Sequence, residues 1–428
     1  MTLRRNRLAA LVVANEQPAT LPSGTSVVPP TTGVKPMLTH TEIETEARGL
    51  YDHLQSEGIP FDSTSLKTHQ TTVNAEYDAI LDGLEAKYGF RPNPNRPDDY
   101  AKVAQAAGHE LPKNPTSGRY KTDEWTIERA AKVVPDLKVL QKARSVRRKL
   151  SILTNLGTNM KGGKVYPTYH FDPTLGRTHA GGDANPMNFE EDIQNHVQLP
   201  GHTILVVDYS RIEPRVLSTL SKDPTLISDM ASDPYRKLAQ STFKVENPTP
   251  TQRAQAKVVF LAIPYGKTVK GVAAELGIRP DQAEKIMNAW HARYSVASAY
   301  LQDLINKGRT NGYAESYHGR QKPLDKRLPD GTVDPDANDR LAVNSVIQNT
   351  AGDLARIGFI NVRKNPELAT LGVKYITTVH DSMVLAVPTG VDLDKVKSII
   401  RTEMVDKNDS QFGLNIEFKS GPSWGTVA

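Results

Sequence analysis

Two aspartates and a cationic helix carry the chemistry this sequence can do. Asp208 closes an apolar run in "ILVVDYSRIEPRVLSTLS" (204–221), and Asp381 follows His380 between two β-rich runs in "KYITTVHDSMVLAVP" (374–388). Ile204 to Val207 is too apolar for an edge strand and reads as a central strand covered on both faces. From Arg211 the spacing Ile212, Val216, Leu220 is that of an amphipathic helix, with Pro214 tolerated in its first turn. The second stretch reads as a hairpin with the acid at its tip. Taken singly, Asp208 reads as a helix cap and Asp381 as a turn residue. A third stretch, "TPTQRAQAKVVFLAIPYGK" (249–267), reads as a helix started by Thr249 and Pro250. Arg253, Lys257, Leu261 and Tyr265 fall on one line of it in steps of four. That line offers two cations for a triphosphate and a ring to stack a base, or simply a basic face over a core helix. Pro264 should bend or end the helix. In combination, two hard-oxygen ligands at strand tips and a cationic helix meet the needs of two-metal phosphoryl transfer, in which paired Mg²⁺ ions about 3.5–4 Å apart clamp the attacking and leaving oxygens.

These groups need a scaffold, and the chain is long enough for one. Its 428 residues allow two to four structural units and a large core. With 53 Lys plus Arg against 48 Asp plus Glu the net charge is +5, which suits nucleic acid and many enzymes alike. The absence of cysteine excludes disulfides, thiolate metal sites and cysteine nucleophiles, and fits a reducing compartment. No apolar run reaches the roughly 20 residues of a membrane span. Residues 17–36, rich in Pro, Ser, Thr and Gly, read as a disordered linker. Helices are expected from Glu42 through Leu54, over about 64–88 and over about 126–156, followed by mixed α/β structure. Between Lys138 and Lys164 run Lys142, Arg144, Arg147, Arg148, Lys149 and Lys161 without one acid. Surface helices usually alternate sign, so this stripe suits a phosphate backbone, where each contact releases a counterion.

At this point the motifs resemble those of family A DNA polymerases. "DYSRIEPRVLSTLS" is similar to the family's motif A, "RAQAKVVFLAIPYG" to motif B and "VHDSMVLAVP" to motif C, in the family's order. "LGRTHAGGDANPMN", "DPYRKLAQSTF", "GYAESYHGRQKPL", "DRLAVNSVIQNTAGDLARIGF" and "GPSWGTVA" fill the gaps. The resemblance covers about residues 41–428 and implies an α+β right-hand fold, a palm with an antiparallel sheet plus helical fingers and thumb. It implies a tail over 1–40, thumb over 41–163, palm over 164–221 and 336–428, and fingers over 222–335. Asp208 and Asp381 would then bind two Mg²⁺ ions, for which Mn²⁺ can substitute, with the Tyr209 carbonyl as a further ligand. Arg253 and Lys257 would hold the triphosphate of an incoming dNTP, Lys257 acting in catalysis too. Tyr265 would stand at the nascent pair, and Glu213 would crowd the sugar 2′ position. Arg177, Asn344, Gln348 and His380 would touch the minor-groove side of primer-template DNA, where acceptors are alike for every correct pair. Arg215 and the stripe residues Lys142, Arg147, Arg148 and Lys149 are further candidates for DNA contact.

Four positions depart from the family's pattern. Leu261 replaces a usual aromatic, Pro264 an aliphatic residue, Tyr235 a histidine whose place beside the nucleotide a hydroxyl can take, and Ser382 the glutamate after the motif C aspartate. The "HDS" so formed is also similar to single-subunit phage RNA polymerases, which keeps an RNA-synthesising enzyme open, as it does a catalytically silent DNA-binding relative. The short, acid-poor stretch before the thumb implies no proofreading exonuclease and no 5′ nuclease in this chain. The expected setting is a monomer in the cytoplasm, in a nucleoid or phage-infected cell, acting in replication or repair with a primase or helicase as possible partners; Arg4, Arg5 and Arg7 also leave organelle import open.

Overall fold

A computed structural model describes residues 37–172, 177–182 and 184–427. The segment read as a linker thus lies outside the described residues. Helix α1 (His40–Glu57) starts at a capping box in which Thr39 and Glu42 satisfy each other's backbone N–H. Helix α2 (Ser63–Tyr88) is capped by Asp62 and stopped by Gly89, whose φ of 72° is the left-handed conformation glycine adopts without strain. The single helix expected over 126–156 is two, Glu124–Ala130 and α3 (Asp136–Asn159). Pro135 divides them because it has no N–H to donate back to residue 131.

The centre of the molecule is a four-stranded antiparallel sheet. Its strands are β1 (His202–Tyr209), β2 (Lys374–Val379), β3 (Ser382–Pro388) and β4 (Ile416–Gly421), in the spatial order β4–β1–β3–β2. Side chains alternate across the two faces. Leu205, Val207, Met383, Leu385 and Val387 enter one core, whereas Ile204, Val384, Ala386 and Ile376 enter a second with Leu81, Leu140 and Trp424. Burial on both sides is what the unbroken apolar run of β1 requires. The second core belongs to α2 and α3. Helix α1, which the sequence places in the same unit as α2, instead sends Ala47, Leu50 and Leu54 into the first core.

Residues 212–311 form a helical lobe whose members include α4 (Ile212–Ser221), α5 (Pro234–Phe243) and α6 (Pro250–Ala262). Its centre is aromatic: Phe260 meets Tyr235, Trp290 and Tyr294 edge to face at 5.3–6.1 Å. Beneath the sheet runs α7 (Pro335–Lys364). A buried ionic cluster fixes it. Asp353 on α7 pairs with Arg320 at 3.1 Å and with Arg356, Arg320 also reaches Glu44 of α1, and His318 Nε2 meets Asp409 at 3.1 Å. Burial opposes the Asp353 charge, yet Arg356, Arg320 and His318 hold its carboxyl below the ordinary range.

The last residue of β1 locks this assembly together. Tyr209 is 2 % exposed, its hydroxyl donates to the Met404 carbonyl at 2.9 Å, and Asn408 Nδ2 donates to it at 3.2 Å. Gly358 of α7 makes room for that hydroxyl, because a Cβ there would overlap it. The expected outcome of Gly358→Ala is a loss of about 1–3 kcal/mol, the usual range for an overpacked core. Chemical denaturation checks it, and an unchanged midpoint would contradict the role given to Tyr209.

Candidate active site

Strand register builds the acidic centre. In the β1–β3 pairing Asp208 stands opposite Ser382, the residue after Asp381, and the Tyr209 N–H donates to the Asp381 carbonyl at 3.2 Å. Residues far apart in sequence are thereby made neighbours. The hairpin tip is His380–Asp381, as the sequence implies, with His380 at φ 56° and exposed. Because side chains alternate, Tyr209 buries its ring and Asp208 is released on the opposite face toward solvent.

The electrostatics of this corner call for a cation. Partial desolvation, then the Asp381 and Glu417 charges, push the Asp208 carboxyl up to about 7, with Lys419 opposing them. Burial also raises Asp381, against its own backbone N–H and the nearby His380. Glu417 escaped the sequence reading. It lies on β4 directly opposite Asp208, and "NIEFKS" signals only a strand, since register is invisible in one sequence. Carboxylates that resist ionisation beside one another fit a hard divalent cation, which removes both penalties. Among the described residues no three His, Asp or Glu side chains converge to hold an ion. Mg²⁺ commonly takes one or two carboxylates and completes its shell with water and phosphate oxygens. Ser382 Oγ donates to the Val379 carbonyl at 2.8 Å and brings no charge.

The cationic side is the start of α6. Thr249 and Gln252 form its capping box. Arg253 and Lys257 both lie over the buried Tyr235 ring, at 5.7 and 5.9 Å, and burial pushes the Tyr235 hydroxyl up to about 12. Arg253 Nε pairs with Asp233 at 2.5 Å, whereas Lys257 is exposed and has no acidic partner among the described residues. Helix α6 ends at Ala262, so Pro264 terminates it rather than bending it. Tyr265 therefore stands beyond the helix and not on its stripe. Its hydroxyl donates to both Glu213 oxygens at 2.9 Å. Glu213, Pro214, Leu217, Leu261, Pro264 and Ile347 line a small apolar hollow, which gives both prolines a place in the site.

The DNA-contact candidates fare unevenly. Asn344 and Gln348 lie four apart on α7, both half-buried, and Asn344 Oδ1 is buried without a hydrogen-bond partner among the described residues. Arg177 opens the strand Arg177–Gly181, paired with Thr168–Asp172, but its side chain lies outside the described residues. Arg215 is held by backbone carbonyls, its Nε donating to that of Ser210 at 3.1 Å and Nη1 to that of Gly413. It braces the β1–α4 turn. The basic stripe finds counter-charges elsewhere in the chain. Lys142 pairs with Glu76 at 2.8 Å, Lys149 with Asp192 at 2.5 Å and Glu190 at 3.0 Å, and Arg147 donates to the Tyr77 hydroxyl at 3.0 Å. Arg148 is exposed and has no ion pair among the described residues.

A carboxyl whose pKa is raised by folding stabilises the protein below its unfolded value, and that contribution is lost as pH rises toward the folded value. Metal-free protein should thus lose stability between about pH 4 and 7 on account of Asp208. Asp208→Asn should gain on the order of 1 kcal/mol over the parent at pH 8 without metal, after allowance for solvent screening, and little at pH 4. Denaturation with a chelator present tests this; equal stability of both proteins at pH 8 would contradict it.

Comparisons with known proteins agree with the fold and the motifs. The chain is 29 % identical over 277 residues to DNA polymerase I of Caldicellulosiruptor bescii, covering 62 % of this chain and 32 % of that protein. It is 24 % identical over 401 residues to the thermostable DNA polymerase I of Thermus thermophilus, covering 90 % of this chain and 48 % of that one. The chain thus spans a third to a half of the length of these relatives. Among solved structures, the POL domain of Pol1 from M. smegmatis, in complex with DNA primer-template and dNTP, superimposes with a TM-score of 0.80 at 23 % identity over 90 % of this chain and 70 % of that chain. No helix among the described residues is long and apolar enough to cross a membrane. The profile of DNA polymerase family A matches residues 64–426, and the chain belongs to that family.

Proposed function

We propose that this chain is a template-directed DNA polymerase that joins a primer 3′-OH to the α-phosphate of a dNTP and releases pyrophosphate. The observation that carries this reading is the meeting of Asp208 and Asp381 at one corner of the sheet. Asp208, Asp381 and the Tyr209 carbonyl would hold divalent metal, Mg²⁺ or in its place Mn²⁺, and two such ions supply Lewis-acid activation of the 3′-oxygen and neutralisation of the leaving pyrophosphate. Arg253 and Lys257 bind and orient the triphosphate, with Tyr235 as the floor beneath them. Lys257 stands exposed to meet the charge that grows on the leaving phosphates. Glu213 excludes a ribose 2′-OH, and its bond to Tyr265 fixes the place where the nascent pair stacks. Arg177, Asn344, Gln348 and His380 read the shape of the primer end by donating to the minor-groove acceptors that every correct pair presents. Arg148 is the member of the basic stripe best disposed toward phosphates, with Lys142, Arg147 and Lys149 reaching DNA only by releasing their present partners.

In this reading 41–163 is the thumb, 164–221 and 336–428 the palm, and 222–335 the fingers, with α1 docked on the palm. The enzyme works as a monomer on primer-template DNA, in replication or repair, and this chain does no proofreading. Ser382 motivates the rival reading of RNA synthesis. One primer-extension series decides among them. Asp208→Ala and Asp381→Ala should each lower extension about a hundredfold or more while DNA binding persists, and full extension by either contradicts the assignment. The parent should use dNTPs and reject rNTPs, with Glu213→Ala relaxing that choice roughly tenfold; equal use by the parent favours the RNA reading. A mismatched primer incubated without nucleotides should keep its length.

A further inference from the structure

Across three strands at the acidic corner, Ser382, Asp208 and Glu417 stand in one row: β1 pairs Asp208 with Ser382 on one side and with Glu417 on the other. Residues directly opposite in an antiparallel pair share a face, with Cβ atoms about 4.5–5.5 Å apart, and like charges so placed repel. Glutamate is also depleted in strands. Nothing in the sheet's own stability therefore accounts for an acid at 417. Nor does Glu417 serve a cation of the chain, since it has no ion pair among the described residues; Lys419, two positions on, faces the same side. What does hold Glu417 is Ser210, whose hydroxyl donates to Oε1 at 2.8 Å. Ser210 is itself buried, and its N–H donates to the Asn415 carbonyl at 2.8 Å. One carboxylate oxygen is thus tied down by the residue that follows Tyr209, and the other is left for the shared face. The neighbour on the far side, Ser382, brings no charge.

We infer that Glu417, oriented by Ser210, is a positioning residue of the metal face, whose charge beside Asp208 sets how tightly the divalent cation is held. The inference rests on the reading of Asp208 and Asp381 as metal ligands. It does not make Glu417 a ligand. A carboxylate at second-neighbour distance strengthens cation binding through the field alone, on the order of tenfold at a partly screened surface.

The test is Mn²⁺ binding to the metal-free full chain at pH 8, read from the free-ion electron paramagnetic resonance signal, without DNA or nucleotide. Glu417→Gln should weaken binding about tenfold, Ser210→Ala by less, and Glu417→Asp should keep affinity within about threefold of the parent. In primer extension, the Mg²⁺ concentration for half activity should rise in parallel for Glu417→Gln, with kcat at saturating Mg²⁺ within about twofold. A purely structural role would lower the thermal midpoint and leave the Mn²⁺ affinity alone. If Glu417→Gln binds Mn²⁺ as the parent does while Asp208→Ala has lost it, Glu417 has no part in the site. If Asp208→Ala also binds as the parent does, the metal reading itself fails.

Discussion

The pairing of β1 with β3 is the constraint on which the site depends. A strand has a period of two, so a slip of one residue sends every side chain to the other face. Here such a slip would bury Asp208 in the first core and expel Tyr209 from it. The Tyr209 ring, held by Met404 and Asn408 and fitted against Gly358, makes that slip costly. Both sheet faces are apolar except at this end. The price of carrying carboxylates there is their mutual repulsion and partial desolvation, and a metal cation removes both.

Around that corner the chain supplies its own partners for groups that the proposed reaction would use. Asp233 occupies the Arg253 guanidinium, and Glu213 occupies the Tyr265 hydroxyl. A triphosphate with its metal would compete with the first pairing, whereas the second would hold the Tyr265 ring where a nascent base pair stacks. Both contacts join separate elements, Asp233 at the cap of α5 to α6, and Glu213 in α4 to the turn after α6. At the Asp353 ionic cluster the Asp353, Arg320 and Arg356 side chains are buried. Such a network resists rearrangement, because loss of one member strands a buried charge.

Much of this was legible in the sequence for local reasons. The cap at Thr249, the strand ending in Asp208 and the hairpin tip at Asp381 follow from short-range rules of backbone conformation. Pro264, read as a bend or a stop, is the stop. Pro135 was not read as one, since the apolar spacing continues across it and periodicity alone favours one helix. The features that needed tertiary knowledge were lost. Glu417 is an ordinary strand residue until the register sets it against Asp208. The acids that neutralise Lys142 and Lys149 lie 66 residues before and 43 residues after them, respectively. No sequence rule shows that two carbonyls engage the Arg215 guanidinium. Helix α1 precedes α2 in the chain yet packs on the opposite face of the sheet.

The central claim is that this corner is a metal site shaped by β-register. The most direct measurement is Mn²⁺ anomalous scattering from crystals of the protein with primer-template DNA and a non-reacting dNTP analogue. The account predicts peaks about 2.0–2.2 Å from oxygens of both Asp208 and Asp381, the distance expected for a Mg²⁺-like ion. An ordered nucleotide against Arg253 and Lys257 with no anomalous peak between the two aspartates would contradict it.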